Sequence, residues 1–407
     1  MGNRLKILFL SNRSPLPIID GHTRRTYNIL KGLAESHNVH FVSLYEIQDE
    51  LDAENVQQLE SFCEKVEFYP APSKRFCFQM LVRLLRSLIS ADPYTIWRHY
   101  SSAYYNRVKQ HITTGNYDIV HCDNLPVAYT VRHIKSVYRS ITDHDVSYLK
   151  CARMAIESKN ILLKAFLIYE ALKLRNLEKQ VLRLFDLGIV VSDIDKSKLL
   201  EICPEGNLLV IENGVDTTTF IPGKDADIDN NSIVWIGGFN HFSNESAVHY
   251  FLTDIYPEIK MKLPDIRFNV IGNGLSKRLD KLITTDSSIC YLGFVDDPLP
   301  YIQKSAIFIV PIISGSGTRL KLLEAMSAGK ATVTTAVGCE GIEGFDGIHF
   351  VIANQPKDFA SAVVNLINDL NYRHKLELNA RLLMVNQYDW KSITIKLVNA
   401  YSSIVAK

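Results

Sequence analysis

The chain has no C-x-x-C pair, no H-E-x-x-H, no Gly-x-Ser-x-Gly elbow and no phosphate-loop lysine motif. These absences exclude the usual zinc ribbons and zincins, the α/β-hydrolase nucleophile and the P-loop NTPases. Seven cysteines are scattered through the chain. An odd, dispersed set reads as reduced thiols in a cytoplasm-like compartment. No run approaches the apolar length that a membrane span needs. The short run Ile7–Leu10 is too brief for a signal-peptide core and reads as a first strand. Basic and acidic residues balance, 45 against 44, so the totals give no support to nucleic-acid or other polyanion binding.

What is present is ample apolar material, 47% of 407 residues, enough for two cores. Short apolar runs alternate with amphipathic stretches, the pattern of doubly wound parallel sheets. In the first half the runs predict strands at Lys6–Leu10, Val39–Leu44, Val66–Tyr69, Ile119–Cys122, Ser140–Asp143, Leu187–Val191 and Leu209–Glu212. Helices are expected near Thr23–Ser36, Gln79–Ile89 and Ala103–Thr114, with a long, interrupted one over Tyr148–Leu184. After Asn213-Gly214 the alternation restarts, with strands at Ile233–Ile236, Phe268–Ile271, Ile289–Leu292, Ile307–Val310, Thr332–Thr335 and His349–Ile352. The expected division is residues 1–215, residues 216–385 and a last helix within 386–407 that crosses back.

The segment Phe308–Gly341 is the most informative. It reads as a buried strand, a loop of small residues (Gly315, Ser316, Gly317, Thr318), a helix starting near Thr318, and a second strand. Small residues let backbone N–H groups approach an anion, and a helix N-terminus adds the positive end of its dipole. Arg319 and Lys321 place two cations beside that opening, and Glu324 follows on the same helix. Gly237-Gly238 after a strand offers another close backbone approach, as does Gly21 at the mouth of the first helix. Thr142-Asp143-His144-Asp145 sets a histidine at a strand end, with Asp143 or Asp145 expected to cap the helix that follows. His121 and Asp123 form a second strand-end pair, open to an acceptor-binding or a structural reading. Asn213-Gly214 reads as a tight turn at the domain junction. Three Asp-x-Asp spacings read as caps and solvated turns, so no metal site is expected.

The run Ser314–Glu324 and the Asn213–Asp216 sequence Asn-Gly-Val-Asp resemble the family 4 glycosyltransferases, in the subgroup with Gly-Ser-Gly-Thr-Arg-Leu-Lys before a glutamate. The resemblance implies an α/β GT-B fold: two facing, doubly wound (Rossmann-like) domains with a cleft between them. It implies a retaining hexosyltransferase that uses a nucleotide-diphosphate sugar, without metal or other cofactor. The acceptor is then a glycan or lipid-linked molecule, as in polysaccharide or glycoconjugate assembly. His144 matches the family's histidine over the donor sugar, and Glu324 its second glutamate; both are assigned as catalytic. Gly21, Gly237, Gly238, Gly315, Ser316, Gly317, Thr318, Arg319, Lys321 and Glu324 are assigned to the donor.

Two positions depart from the family pattern. Ser316 stands where the first glutamate falls, and Gly238 where many members carry an arginine. The missing charge is expected from Arg319 and Lys321. These departures keep a sugar-nucleotide epimerase on the same fold, or a degenerate nucleotide-binding module, as alternatives. Residues 71–110 are strongly basic, with leucines at helical spacing. They read either as a peripheral contact with an anionic membrane, on the inner face in a cytoplasmic protein, or as a core helix with a solvated face.

Overall fold

The computed structural model describes residues 4–45, 52–72, 78–315 and 317–405. The chain folds as two compact units, one up to Glu212 with the residues from Thr394 on, the other Asn213–Ile393. The first unit holds a seven-stranded sheet of β1 (Lys6–Ser11), β2 (Asn38–Tyr45), β3 (Lys65–Pro70), β4 (Ile119–Cys122), β5 (Tyr138–Asp143), β6 (Leu187–Val190) and β7 (Leu208–Val210). The second holds six strands: β8 (Asp229–Ile236), β9 (Arg267–Ile271), β10 (Ile289–Gly293), β11 (Ser305–Val310), β12 (Ala331–Thr334) and β13 (Val351–Ile352). All strand pairs are parallel. β1, β4, β6, β11 and β12 are nearly continuous apolar or small-residue runs because helices cover both faces of the sheet.

The sheet orders are β3-β2-β1-β4-β5-β6-β7 and β10-β9-β8-β11-β12-β13. Each order reverses once, at β1/β4 and at β8/β11. Loops leaving the carboxyl ends of those strands diverge to opposite faces and leave a crevice, the usual place for a ligand on such a sheet.

Several local expectations are revised. The stretch over Tyr148–Leu184 is two helices, Ser147–Glu157 and Ile161–Leu184, because Asn160 caps the second, accepting from Leu162 N and Leu163 N. Neither Asp143 nor Asp145 caps the first of them. Glu178 does, accepting from Ser147 N at 2.6 Å and Tyr148 N at 3.3 Å. Asp145 pairs instead with Lys150 at 2.7 Å. Gly214 does not adopt a positive φ, and neither does Asn213. Glycine is needed there because a Cβ would lie 2.7 Å from the Trp390 ring.

Candidate functional site

The second unit builds its crevice from glycines and cations. After β8, the Gly237 amide donates to Ile271 O of the neighbouring strand end at 2.9 Å. A Cβ on Gly272 (φ +148) would sit 2.0 Å from Gly237 O, so the two strand ends meet backbone to backbone. The Asn244 amide donates to Gly238 O at 2.7 Å, which turns its Oδ1 toward Lys321. Lys321 Nζ donates to that oxygen at 2.9 Å and lies 3.6 Å from the centre of the Trp235 ring. A Cβ on Gly237 would come within 2.4 Å of this ammonium. Lys321 therefore rests directly over the glycine turn.

The other wall is the loop after β11. Gly315 and Gly317 adopt φ of +122° and +82°, a region that favours glycine. A Cβ on Gly315 would be 3.1 Å from Arg319 Nη2, so the guanidinium lies against it. The helix begins at Leu320 rather than near Thr318, with Arg319 at its N-cap position and no side-chain cap. Thr318 Oγ1 is buried with no hydrogen-bond partner among the described residues. Glu324 is half-buried, one turn beyond Lys321. Ser316 lies outside the described residues. Burial, and then the nearby Arg319 charge, hold the Lys321 ammonium well below the ordinary lysine value of 10.5. Two crowded positive groups over backbone amides form a site whose electrostatics an anion would relieve.

The first unit builds a different crevice. Asp123 follows β4 and is 2% exposed. Its carboxylate accepts from the Thr26 hydroxyl at 2.6 Å and from the Ser11 hydroxyl at 3.4 Å. His144 Nε2 lies 2.8 Å from Asp123 O and 3.1 Å from its Oδ1. Both are acceptors only, so Nε2 carries the proton and Nδ1 of the neutral ring is left as an acceptor. His22 stacks on His144 with ring centres 4.0 Å apart. Burial, and then His144, push the His22 pKa down to about 3. Burial raises the Asp123 carboxyl, but His144, His22 and His121 outweigh it and hold the group below its usual range. Gly21 opens the helix Gly21–Ser36 beside His22, where Asp20 caps the helix by accepting from Thr23 N.

His121 is a correction to the acceptor-binding reading. It is fully buried, with Nδ1 2.6 Å from Tyr401 OH and 3.2 Å from Ser140 Oγ. It ties β4 and β5 to the last helix, Trp390–Val405. Arg25, 2% exposed, is likewise structural, donating to Ile211 O and Glu212 O at 2.7 Å each.

Of the assigned residues, Gly237, Gly238, Gly315, Arg319 and Lys321 converge in the second unit, while Gly21 and His144 belong to the first. The sequence reading missed Asn244, Trp235, and Asp123 as the partner of His144. Among the described residues, metal-ligand spacing occurs in two trios, His22–Asp123–His144 and His40–Glu67–His111, each with ligand atoms within 4.8 Å. In the second trio Lys65 and Arg107 already neutralise Glu67.

The paired parallel sheets define a GT-B protein. They superpose on those of Anabaena HepE in complex with UDP-glucose with a TM-score of 0.67, at 16% identity, over 98% of this chain and 100% of that one. Residues 19–219 match the model of Glycosyltransferase Family 4, and residues 230–369 that of Glycosyl transferases group 1. The chain belongs to the family 4 glycosyltransferases. An uncharacterized 44.6 kDa protein in the cps region of Klebsiella pneumoniae is 23% identical over 95% of this chain and 97% of its own length. The phosphatidyl-myo-inositol mannosyltransferase of Mycolicibacterium smegmatis is 22% identical over 53% of this chain and 57% of its own.

Proposed function

We propose that this glycosyltransferase moves a hexose from a nucleotide-diphosphate sugar, with retention of configuration, to a glycan or lipid-linked acceptor. One observation carries the reading: Lys321 and Arg319 lie over the Gly237 and Gly315 turns at the β8/β11 switch point. Such a cradle suits the diphosphate, whose charge grows as the glycosidic bond breaks. HepE was solved with UDP-glucose, which supports the donor class. The mycobacterial mannosyltransferase, by its name, acts on phosphatidyl-myo-inositol, a lipid, which supports the acceptor class.

In this mechanism Lys321, Arg319 and the Gly/Ser loop amides stabilise the departing diphosphate. Glu324 holds the ribose. His144, its Nε2–H fixed by Asp123, offers Nδ1 to a hydroxyl of the donor sugar. The bond from the anomeric carbon to the phosphate oxygen breaks and the bond to the acceptor oxygen forms on the same face. The acceptor proton passes to the leaving phosphate. Transfer needs no metal, because the two side-chain cations neutralise the diphosphate.

The test is incubation with UDP- and GDP-sugars in the presence of EDTA, followed by nucleotide and sugar analysis. Released nucleotide that depends on acceptor, with a product of unchanged anomeric configuration by NMR, supports the proposal. A new sugar isomer, or binding without turnover, overturns it.

A further inference from the structure

We infer that the first unit docks on an anionic lipid surface through two adjacent helices, Phe78–Ile89 and Ile161–Leu184, and that this does not depend on the donor chemistry proposed above. An amphipathic helix of a globular unit normally turns its apolar stripe inward. The helix Phe78–Ile89 does the reverse. Phe78 (79% exposed), Leu81, Leu85, Leu88 and Ile89 (90% exposed) face solvent, while Ser87 is fully buried. Ser87 O accepts from Lys173 Nζ at 2.7 Å, which holds the helix in this orientation.

The start of the second helix repeats the pattern. Ile161 and Leu162 are each 79% exposed, and Ile168, Tyr169 and Leu172 continue the stripe at helical spacing. Tyr169 OH donates to Leu88 O at 3.1 Å, so the two stripes are neighbours. Contiguous exposed apolar surface of this kind marks an interaction face.

Charge selects the occupant. Segments 78–100 and 147–175 carry nine Lys and Arg against three acids. Of those acids, Asp92 accepts from Tyr129 OH and buried Glu170 accepts from Tyr94 N; Glu157 is the third. Lys159 and Lys164 are exposed at the tip, with Arg86, Arg98, Arg153 and Arg175 exposed around the stripes. Isologous pairing of two such faces would set like charges together. An anionic bilayer instead satisfies both the apolar stripe and the cations. Among the described residues no helix is long and apolar enough to cross a membrane, so the helices would lie in the interface.

The experiment is flotation of the full chain with phosphatidylcholine vesicles that contain or lack phosphatidylglycerol. Co-flotation is expected only with phosphatidylglycerol and is expected to weaken with salt. The double variant Leu85→Asp/Leu162→Asp should lower the bound fraction about tenfold or more, since it places charge on the inserting stripe. Its thermal unfolding and its UDP affinity should match the parent. A second variant, Lys159→Glu/Lys164→Glu, reports on charge alone should the first fail to fold. The inference is overturned by absent flotation, by equal binding to neutral vesicles, by binding unchanged in both variants, or by a solution dimer that the same substitutions dissociate. None of those outcomes touches UDP binding, which tests the donor reading separately.

Discussion

The two units share a winding pattern and differ in what stands at the switch point. In the first, strand ends present Asp123, His144 and His22, a buried carboxylate that organises two stacked imidazoles. In the second, they present glycines, Lys321 and Arg319, a cradle of backbone and positive charge. One scaffold thus supports two chemistries. Imidazole and carboxylate can orient hydroxyls, whereas glycine turns and cations can hold phosphates. Sheet order sets where a ligand can bind, and side chains set which kind.

The comparison predicts separable failures. The largest effect is expected on stability. Gly272→Ala forces a Cβ against Gly237 O at a positive φ and should cost the second unit about 3 kcal/mol, read as a lowered unfolding midpoint. The first unit's secondary structure should survive under conditions that unfold the second. If both units melt together at the lowered midpoint, they do not fold independently.

Next comes nucleotide affinity. Arg319→Ala and Lys321→Ala should each weaken UDP binding by about 1.5–3 kcal/mol, the range for hydrogen bonds to charged groups. Titration calorimetry measures this, and His144→Ala should leave UDP affinity within threefold (about 0.7 kcal/mol) of the parent while slowing sugar transfer. Equal losses for all three variants would erase the division of labour.

Acid should act on the first unit. His22 titrates near 3, and burial lowers His40 and His121 to about 4, against the ordinary 6.5. The folded state therefore binds fewer protons than the unfolded one between those limits. The histidine contribution is full above pH 6.5 and lost as pH falls toward 4. Fluorescence-detected urea melts from pH 7 to pH 4.5 should show the first unit weakening more than the second. A pH-independent first unit would contradict the buried, neutral imidazoles.

The smallest effect is the pH dependence of binding. An incoming diphosphate favours charged Lys321, so UDP affinity should decline with rising pH well before an ordinary lysine titrates. Binding should also take up protons, seen as a dependence on buffer ionisation enthalpy. No such dependence would mean that Lys321 stays charged without ligand.

Much of the fold was legible, because a strand buried on both faces writes its burial as an unbroken apolar run. Ile119–Cys122 matches the observed strand end for end, and the other runs differ by a few residues at their ends. Short helices such as Ala53–Glu60 and Tyr94–His99 were not read, since two turns carry little periodicity. The Gly/Ser loop and Arg319 were legible as local composition. The Lys321–Asn244–Trp235 arrangement was not, because it joins side chains 77 positions apart through a strand order that local pattern does not encode. Nor was the Glu178 cap of the helix Ser147–Glu157. A capping aspartate stood in the expected place, and a carboxylate from the next helix supplied the bonds instead.

Trp235 gives the second unit a built-in optical reporter. Its indole, on β8, is completely enclosed and lies beneath the Lys321 ammonium, whereas the chain's other two tryptophans, Trp97 and Trp390, lie on helices. A charge held this close to an excited indole shifts and quenches its emission. Arrival of a nucleotide diphosphate would therefore change the protein's own fluorescence, and donors could be ranked without label, acceptor or turnover.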